Sequence, residues 1–184
     1  MKPHLPLFRH PGLASRAGLA TPAAATLAAA LLAVMASAPS RAETRTPDRT
    51  CKPGHPSLSV TVTGFSGTTG KVRAQLYGPG GEHFLDKGAW SMRIERQREE
   101  AGPMHFCFPI DQPGRYAVAI RHDANVNGKS DWNDGGGFTG NPRLSLFHLK
   151  PDFDKAAVEV GSQPVQAKII MQYRRGLSIG PIAP

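Results

Sequence analysis

The chain has 184 residues, with 22 Lys+Arg, 14 Asp+Glu, 7 His and 2 Cys. That length gives one domain with room for a leader or a tail, and an apolar content of 40% excludes wholesale disorder. Glycine and proline, 20 and 17 residues, point away from a helical bundle and toward a turn-rich β protein, while 7% aromatics argue against a stacking surface for nucleic acid.

Residues 1–42 differ in kind from the rest. They hold Lys2, Arg9, Arg16 and Arg41, no acid, and the alanine-rich run between Arg16 and Pro39. A basic start, an apolar run and small residues at the end read as a secretory signal peptide. An uncleaved anchor is the alternative, although Thr21, Pro22 and Thr26 interrupt the run. Cleavage fits Ala36-Ser37-Ala38 or Ser40-Arg41-Ala42, and the second is preferred because Pro39 would follow the first. No later stretch approaches a membrane span, so the expected mature protein has none and is periplasmic or secreted. Four of the 22 basic residues leave with the leader, so 18 remain against 14 acids, a net of +4 rather than +8. No nucleic-acid partner is expected at that charge.

Cys51 and Cys107 both fall after the leader. An even count in an exported chain suggests one disulfide, with two free thiols as the alternative. They do not form a CxxC pair, so a redox role is not expected.

Residues 43–56 are polar and proline-rich, a linker. From there to residue 175 alternation with period two dominates. Leu58, Val60 and Val62 alternate with Ser59, Thr61 and Thr63, and Val72, Ala74 and Leu76 with Arg73, Gln75 and Tyr77. The turn Gly67-Thr68-Thr69-Gly70 between them suggests a β-hairpin. Phe84 and Trp90, in the loop that follows, are expected to cap a core. Met92–Arg96 and Met104–Phe108 read as strands. Arg115–Arg121 reads as a central one, and Ala117 and Ala119 on its second face indicate close packing there too. Residues 122–155 are loop-rich, with a possible short strand near Leu144–Leu149 and one helical turn at Phe153–Ala157. Val158–Val160 and then Val165–Arg174 close the domain, and 176–184 is a tail. About seven strands with frequent turns give an all-β fold, an antiparallel Ig-like or prealbumin-like β-sandwich. A small closed barrel is the alternative.

One constellation carries chemistry. Counting from Asp123 as position 1, oxygen side chains fall at 1 (Asp123), 3 (Asn125), 5 (Asn127), 9 (Asp131) and 12 (Asp134). Gly128 stands at 6, and Lys129 at 7 would offer its backbone carbonyl. This is the spacing of a calcium loop, built from hard oxygen donors. The flanks read as strand and loop rather than two helices, and the short Asp134 is the weakest ligand. A weak to moderate Ca²⁺ site, about 10⁻⁵ to 10⁻³ M, is expected. The alternative is an Asx-rich turn in which Asp and Asn bond their own backbone.

At His122-Asp123-x-Asn125-x-Asn127-Gly128-Lys129-x-Asp131, followed by Gly137-Phe138, the sequence resembles the bacterial exported proteins of domain-of-unknown-function family 2141. Leu58–Gly64, Gly70-Lys71-Val72, Pro113–Val118, Phe153–Ala156 and Tyr173 also fit. The resemblance implies an exported β-sandwich with no established activity.

Other signals are weaker. Gly135-x-Gly137-x-x-Gly140 matches a dinucleotide fingerprint but lacks the following helix, so it reads as a chance match in a flexible loop. The five histidines after the leader form no HxH or HExxH pair. His122 and Asp123 are adjacent on a strand and point to opposite faces, which argues against a triad-like contact. The expected function is a non-enzymatic envelope module. Its Ca²⁺-ordered loop would shape residues 135–142 as a recognition surface for a glycan or a protein. The alternatives are a small hydrolase using Asp131 and Asp134, and a structural protein with a metal-free turn.

Overall fold

Residues 51–182 are described by a computed structural model; the expected leader and the first part of the linker lie outside them. The period-two segments form strands β1 (Ser57–Thr63), β2 (Lys71–Tyr77), β3 (Met92–Gln97), β4 (Met104–Pro109) and β5 (Gly114–Asp123). There follow β6 (Gly135–Phe138), the single-turn helix α1 (Phe153–Ala156), β7 (Val158–Val160), β8 (Val165–Ile170), β9 (Gln172–Arg175) and β10 (Ser178–Pro181).

The strands make two sheets. The smaller has the order β4-β1-β8, and the larger β10-β9-β6-β5-β2-β3, with β7 paired to the start of β5. Leu58, Val60, Val62, Phe106 and Phe108 from the small sheet pack on Val72, Ala74, Val118, Ile120 and Met171 from the chain of the large one. This is the expected all-β sandwich, with apolar residues turned to one side of each strand by the pleat.

Three details differ from the sequence reading. First, β1 and β2 are not a hairpin. β1 pairs with β4 and β8, whereas β2 pairs with β3 and β5. Alternation fixes which face of a strand is buried, not which neighbour it pairs with, so the turn at 64–70 carries the chain from one sheet to the other. Second, β1 and β8 run parallel, with Leu58 opposite Val165 and Val62 opposite Ile169; the other named pairings are antiparallel. Third, the expected last strand is broken. β8 belongs to the small sheet and β9 to the large one, and at the junction the Met171 amide donates to the Thr63 carbonyl at 2.9 Å. Ile169, Met171 and Tyr173 stay inward across this corner because both sheets face the same core.

Ser178–Pro181, placed in the tail by the sequence reading, pair with β9 as a true edge strand. Near Leu144–Leu149 there is only an isolated bridge between Ser145 and His148. Cys51 and Cys107 form a disulfide, Cα to Cα 6.0 Å, which ties the entry segment to β4. The outer face of the large sheet carries a second, smaller core. Tyr77, Ala117, Ala119, Phe138, Leu144 and Ala156 are buried there, with Phe84 and Trp90 packed against them. The close packing indicated by the two alanines is therefore real. Among the described residues no helix is long and apolar enough to cross a membrane.

Candidate functional site: the acidic loop and the cleft beside it

The acidic loop grows from the end of β5, and its root is a buried hydrogen-bonded pair. His122 is 1% exposed. Its Nε2 lies 2.8 Å from the Thr69 carbonyl and its Nδ1 2.7 Å from the Tyr173 hydroxyl. A carbonyl can only accept, so Nε2 carries a proton, and in the neutral imidazole Nδ1 then accepts from the phenol. Burial pushes the Tyr173 hydroxyl above its ordinary pKa, against the opposing pull of hydrogen bonds from Ser66 and of Arg98, so the phenol keeps its proton. Phe65 meets the imidazole edge-on, with ring centroids 5.4 Å apart. Gly70 permits this closeness. Its φ is +110°, and a Cβ there would lie 2.6 Å from His122 Nε2.

Beyond Asp123 the chain turns on its own polar side chains. The Asp123 carboxylate is buried and accepts from the Gly128 amide at 2.8 Å and the Asn127 amide at 3.2 Å. Val126 and Gly128 take φ of 58° and 75° to close this turn. Asn125 Oδ1 accepts from the Asn127 amide at 3.3 Å, and Asn127 Oδ1 from the Lys129 amide at 2.7 Å. The two Nδ2 groups converge on one carboxylate oxygen, Asp131 Oδ2, at 2.8 and 2.6 Å, while Asp131 Oδ1 accepts from the Asn133 amide. The Asn125 side chain, the Asn133 amide and the Asn127 side chain, in that order, hold the Asp131 carboxyl below its ordinary range.

Of the expected calcium ligands, Asn125, Asn127 and Asp131 therefore come together. Asp123 is spent on its own backbone, and Asp134 turns away, accepting from the Ala124 amide at 3.2 Å and from Arg121 Nη2 at 2.9 Å. The same Arg121 nitrogen is 3.8 Å from Asp123. The Lys129 amide is held in the Asn127 turn. Among the described residues no group of three His, Cys, Asp or Glu side chains gathers as a metal site. The local hydrogen bonds are those of the Asx-turn alternative. The donor chemistry still suits a hard cation, because an amide turned end for end presents oxygen where it now presents N–H.

The loop borders a cleft of about 560 Å³ that the sequence reading did not foresee. Its floor is the outer face of the large sheet, where Tyr77, Ala119 and Phe138 lie beside Gly136. Leu144, Leu146, Leu149 and Ile179 form apolar walls, and Asp131, Trp132 and Asp134 of the acidic loop close one side. The signal was present in the small outward residues Ala119 and Gly136. Its meaning depended on where residues 144–150 and β10 fold, which period two does not encode.

The chain matches, over residues 60–168, the sequence profile of the family described as "Uncharacterized protein conserved in bacteria (DUF2141)". The chain belongs to this family. No curated protein and no solved structure matches it. The family match runs from within β1 to within β8 and so includes the acidic loop; β9 and β10, which supply Arg174 and Ile179 to the cleft, lie beyond it.

Within the family region the glycine cluster has a packing reason. Residues 135–138 are strand β6, between β5 and β9, not a flexible loop. A Cβ on Gly135 would overlap the Tyr173 ring, and one on Gly137 would come within 2.7 Å of Ile169 Cγ2. Glycine is disfavoured in strands, but here bulky neighbours fill the space a side chain would need. Gly140, at φ +73°, is pressed against the Lys155 carbonyl. The dinucleotide-like spacing is a by-product of sheet packing. Residues 135–138 are thus part of the sheet, and only 139–142 remain loop.

Proposed function

We propose that this protein is an exported, non-enzymatic binding module of the cell envelope, taking a ligand in the outer-face cleft beside an acidic loop that Ca²⁺ orders. The observation that carries the reading is the shared boundary: Asp131, Trp132 and Asp134 belong to the loop and line the cleft. The cleft volume, about 560 Å³, falls in the range of about 300–1,000 Å³ common for ligand sites. Export is supported by the Cys51–Cys107 disulfide, a bond that persists in oxidising compartments.

For calcium, the support is the donor set. Asn125 and Asn127 place two amides against the Asp131 carboxylate. A cation entering between them would accept the Asp131 charge and two turned amide oxygens, with the Lys129 carbonyl as a further donor. Asp123 would join by exchanging its amide partners for the ion, and Asp134 only by leaving Arg121. That reorganisation is the physical reason to expect weak binding, about 10⁻⁵ to 10⁻³ M.

Calorimetric titration of Ca²⁺ into chelator-treated protein, with tryptophan fluorescence read in a Trp90→Phe background, tests this. One-site saturable heat that is weakened at least tenfold in Asp131→Asn is the expected result. At a hundredfold excess over Kd the ion should stabilise the fold by about 2.7 kcal/mol. No heat and no fluorescence change up to millimolar Ca²⁺ would remove the ion from the proposal and leave a cleft beside an Asx turn.

A further inference from the structure

The rim of the cleft is unusual in what it leaves in water. Phe147 is 92% exposed, Leu177 88%, Trp132 65% and Leu149 55%. These residues stand on three separate tips. Trp132 is on the acidic loop, and Leu177 is at the β9–β10 turn. Phe147 is at the turn between Ser145 and His148, whose flanks Leu146 and Leu149 line the cleft. Trp132 and Leu177 border a common hollow with Arg174. Single exposed apolar residues are ordinary, but several around one apolar cleft mark a site that is covered in use.

Charge narrows the occupant. Arg121, Lys150 and Arg174 line the cleft, against Asp131 and Asp134. Arg121 is paired with Asp134, and Asp131, hydrogen-bonded by the amides of Asn125 and Asn127, keeps its negative charge. That leaves two cations against one carboxylate. Arg174 lies over the Trp132 ring and donates from Nε to the Gly176 carbonyl, and Lys150 is exposed. Among the described residues neither has a carboxylate partner. The site therefore offers an apolar trough with one net positive charge in its lining, and the two cations without a carboxylate partner stand at its mouth.

We propose that the cleft binds a single-chain anionic amphiphile: an acyl chain laid over Ala119, Gly136 and Phe138, with its carboxylate or phosphate held at Arg174 and Lys150. This rests on the cleft being a ligand site, as proposed above, and names the chemistry of the ligand. Gly136 is the feature of the floor that makes room. A Cβ built there meets nothing nearer than the Ile120 carbonyl oxygen at 3.9 Å, so the space above it is open. The exposed tips would close over the chain and lose their contact with water.

Dodecanoate and dodecyl maltoside share a twelve-carbon chain and differ in the head, so the pair separates chain from charge. Each is titrated below its micelle-forming concentration into the purified, disulfide-bonded protein, with tryptophan fluorescence and calorimetry as readouts. Saturable one-site dodecanoate binding, at least tenfold tighter than the maltoside, is expected. Gly136→Phe should abolish it, and Lys150→Glu with Arg174→Glu should weaken dodecanoate at least tenfold while leaving the maltoside unchanged. If Gly136→Phe does not fold, Leu149→Asp on the exposed wall serves instead, with the same tenfold loss expected.

Equal affinity for the two probes, unmoved by the charge reversals but lost in Gly136→Phe, overturns the anionic headgroup and leaves the cleft as a ligand site. Dodecanoate binding that survives both Gly136→Phe and Leu149→Asp overturns the cleft as its place. Binding only to phosphatidylglycerol vesicles, with no uptake of monomer, also overturns the proposal in favour of a membrane-docking face. The same preparation is titrated with Ca²⁺. A normal calcium response without amphiphile binding then marks the failure of this inference alone.

Discussion

Replacing Tyr173 by Phe removes one oxygen from the root of the acidic loop. His122 Nδ1, now 2.7 Å from that oxygen, would be left as a buried acceptor with no partner, in a residue 1% exposed. An orphaned buried polar group costs about 1–3 kcal/mol. Ser66, which also hydrogen-bonds the phenol, loses its partner in the same step. Neither loss is offset by new apolar burial, because the ring is already packed over Gly135. A destabilisation of about 2 kcal/mol is therefore expected, or a fall in Tm of roughly 8 °C for a domain of this size. Urea unfolding with an unchanged m-value reads it directly. The decisive comparison is the double variant with His122→Phe. If the two side chains hold each other, the double loss should be smaller than the sum of the single losses by about 1 kcal/mol or more. Tyr173→Phe within about 0.3 kcal/mol of the parent, with additive double-variant energies, would refute the hydrogen-bonded pair as the anchor of the loop.

Further outcomes follow from the same geometry. Gly135→Ala should cost more than about 2 kcal/mol, because its Cβ overlaps the Tyr173 ring. Gly136→Ala, one residue on, should be neutral or gain about 0.5 kcal/mol through the unfolded chain, and equal melting temperatures for the two would contradict the placement of β6. Replacing both Cys51 and Cys107 by Ser opens a loop of 56 residues and should lower stability by about 4 kcal/mol in the chain-entropy model, measured by urea unfolding against the oxidised parent. The Asp131 carboxyl is held below its ordinary value of 3.8 by its Asn125, Asn133 and Asn127 donors. Its contribution to loop order is therefore fully present above pH 3.8 and is lost as the pH falls through the lowered value. Carboxyl NMR should place its midpoint under 3.8, and a midpoint at or above that figure would mean the amides do not bind it in solution.

The candidate site was legible in part. Position-by-position spacing picked out the loop from Asp123 to Asp134, because polar side chains at every second residue can turn onto a common centre. It did not show which of them would do so. Asp134, just before β6, is drawn off by Arg121 on the neighbouring strand β5, and Asp123 is drawn off by the Gly128 and Asn127 amides. Competition between a salt bridge, a backbone turn and a shared centre is settled by distances, not by spacing. Strand geometry argues against His122 as a catalytic base. Its actual partners, Thr69 and Tyr173, are 53 and 51 positions away, and no local pattern names them.

By itself the sequence determined the β class, the burial faces of β1, β2 and β5, the suggestion of one disulfide between its two cysteines and the loop rich in Asp and Asn. Each of these follows from local rules: a pleat of period two, a count of two thiols, and side chains that bond their own backbone. Tertiary structure alone decided that β1 and β2 part to opposite sheets, that one inward-facing run bends at Met171 into two strands, and that a triple glycine can be sheet. It also made the cleft, which exists because residues from β2, β5, β6, the 144–150 turn and β10 meet on one face. A strand's pattern says which side is apolar, but partner choice and the space left between neighbours depend on everything that packs there, and that information is not local to any segment.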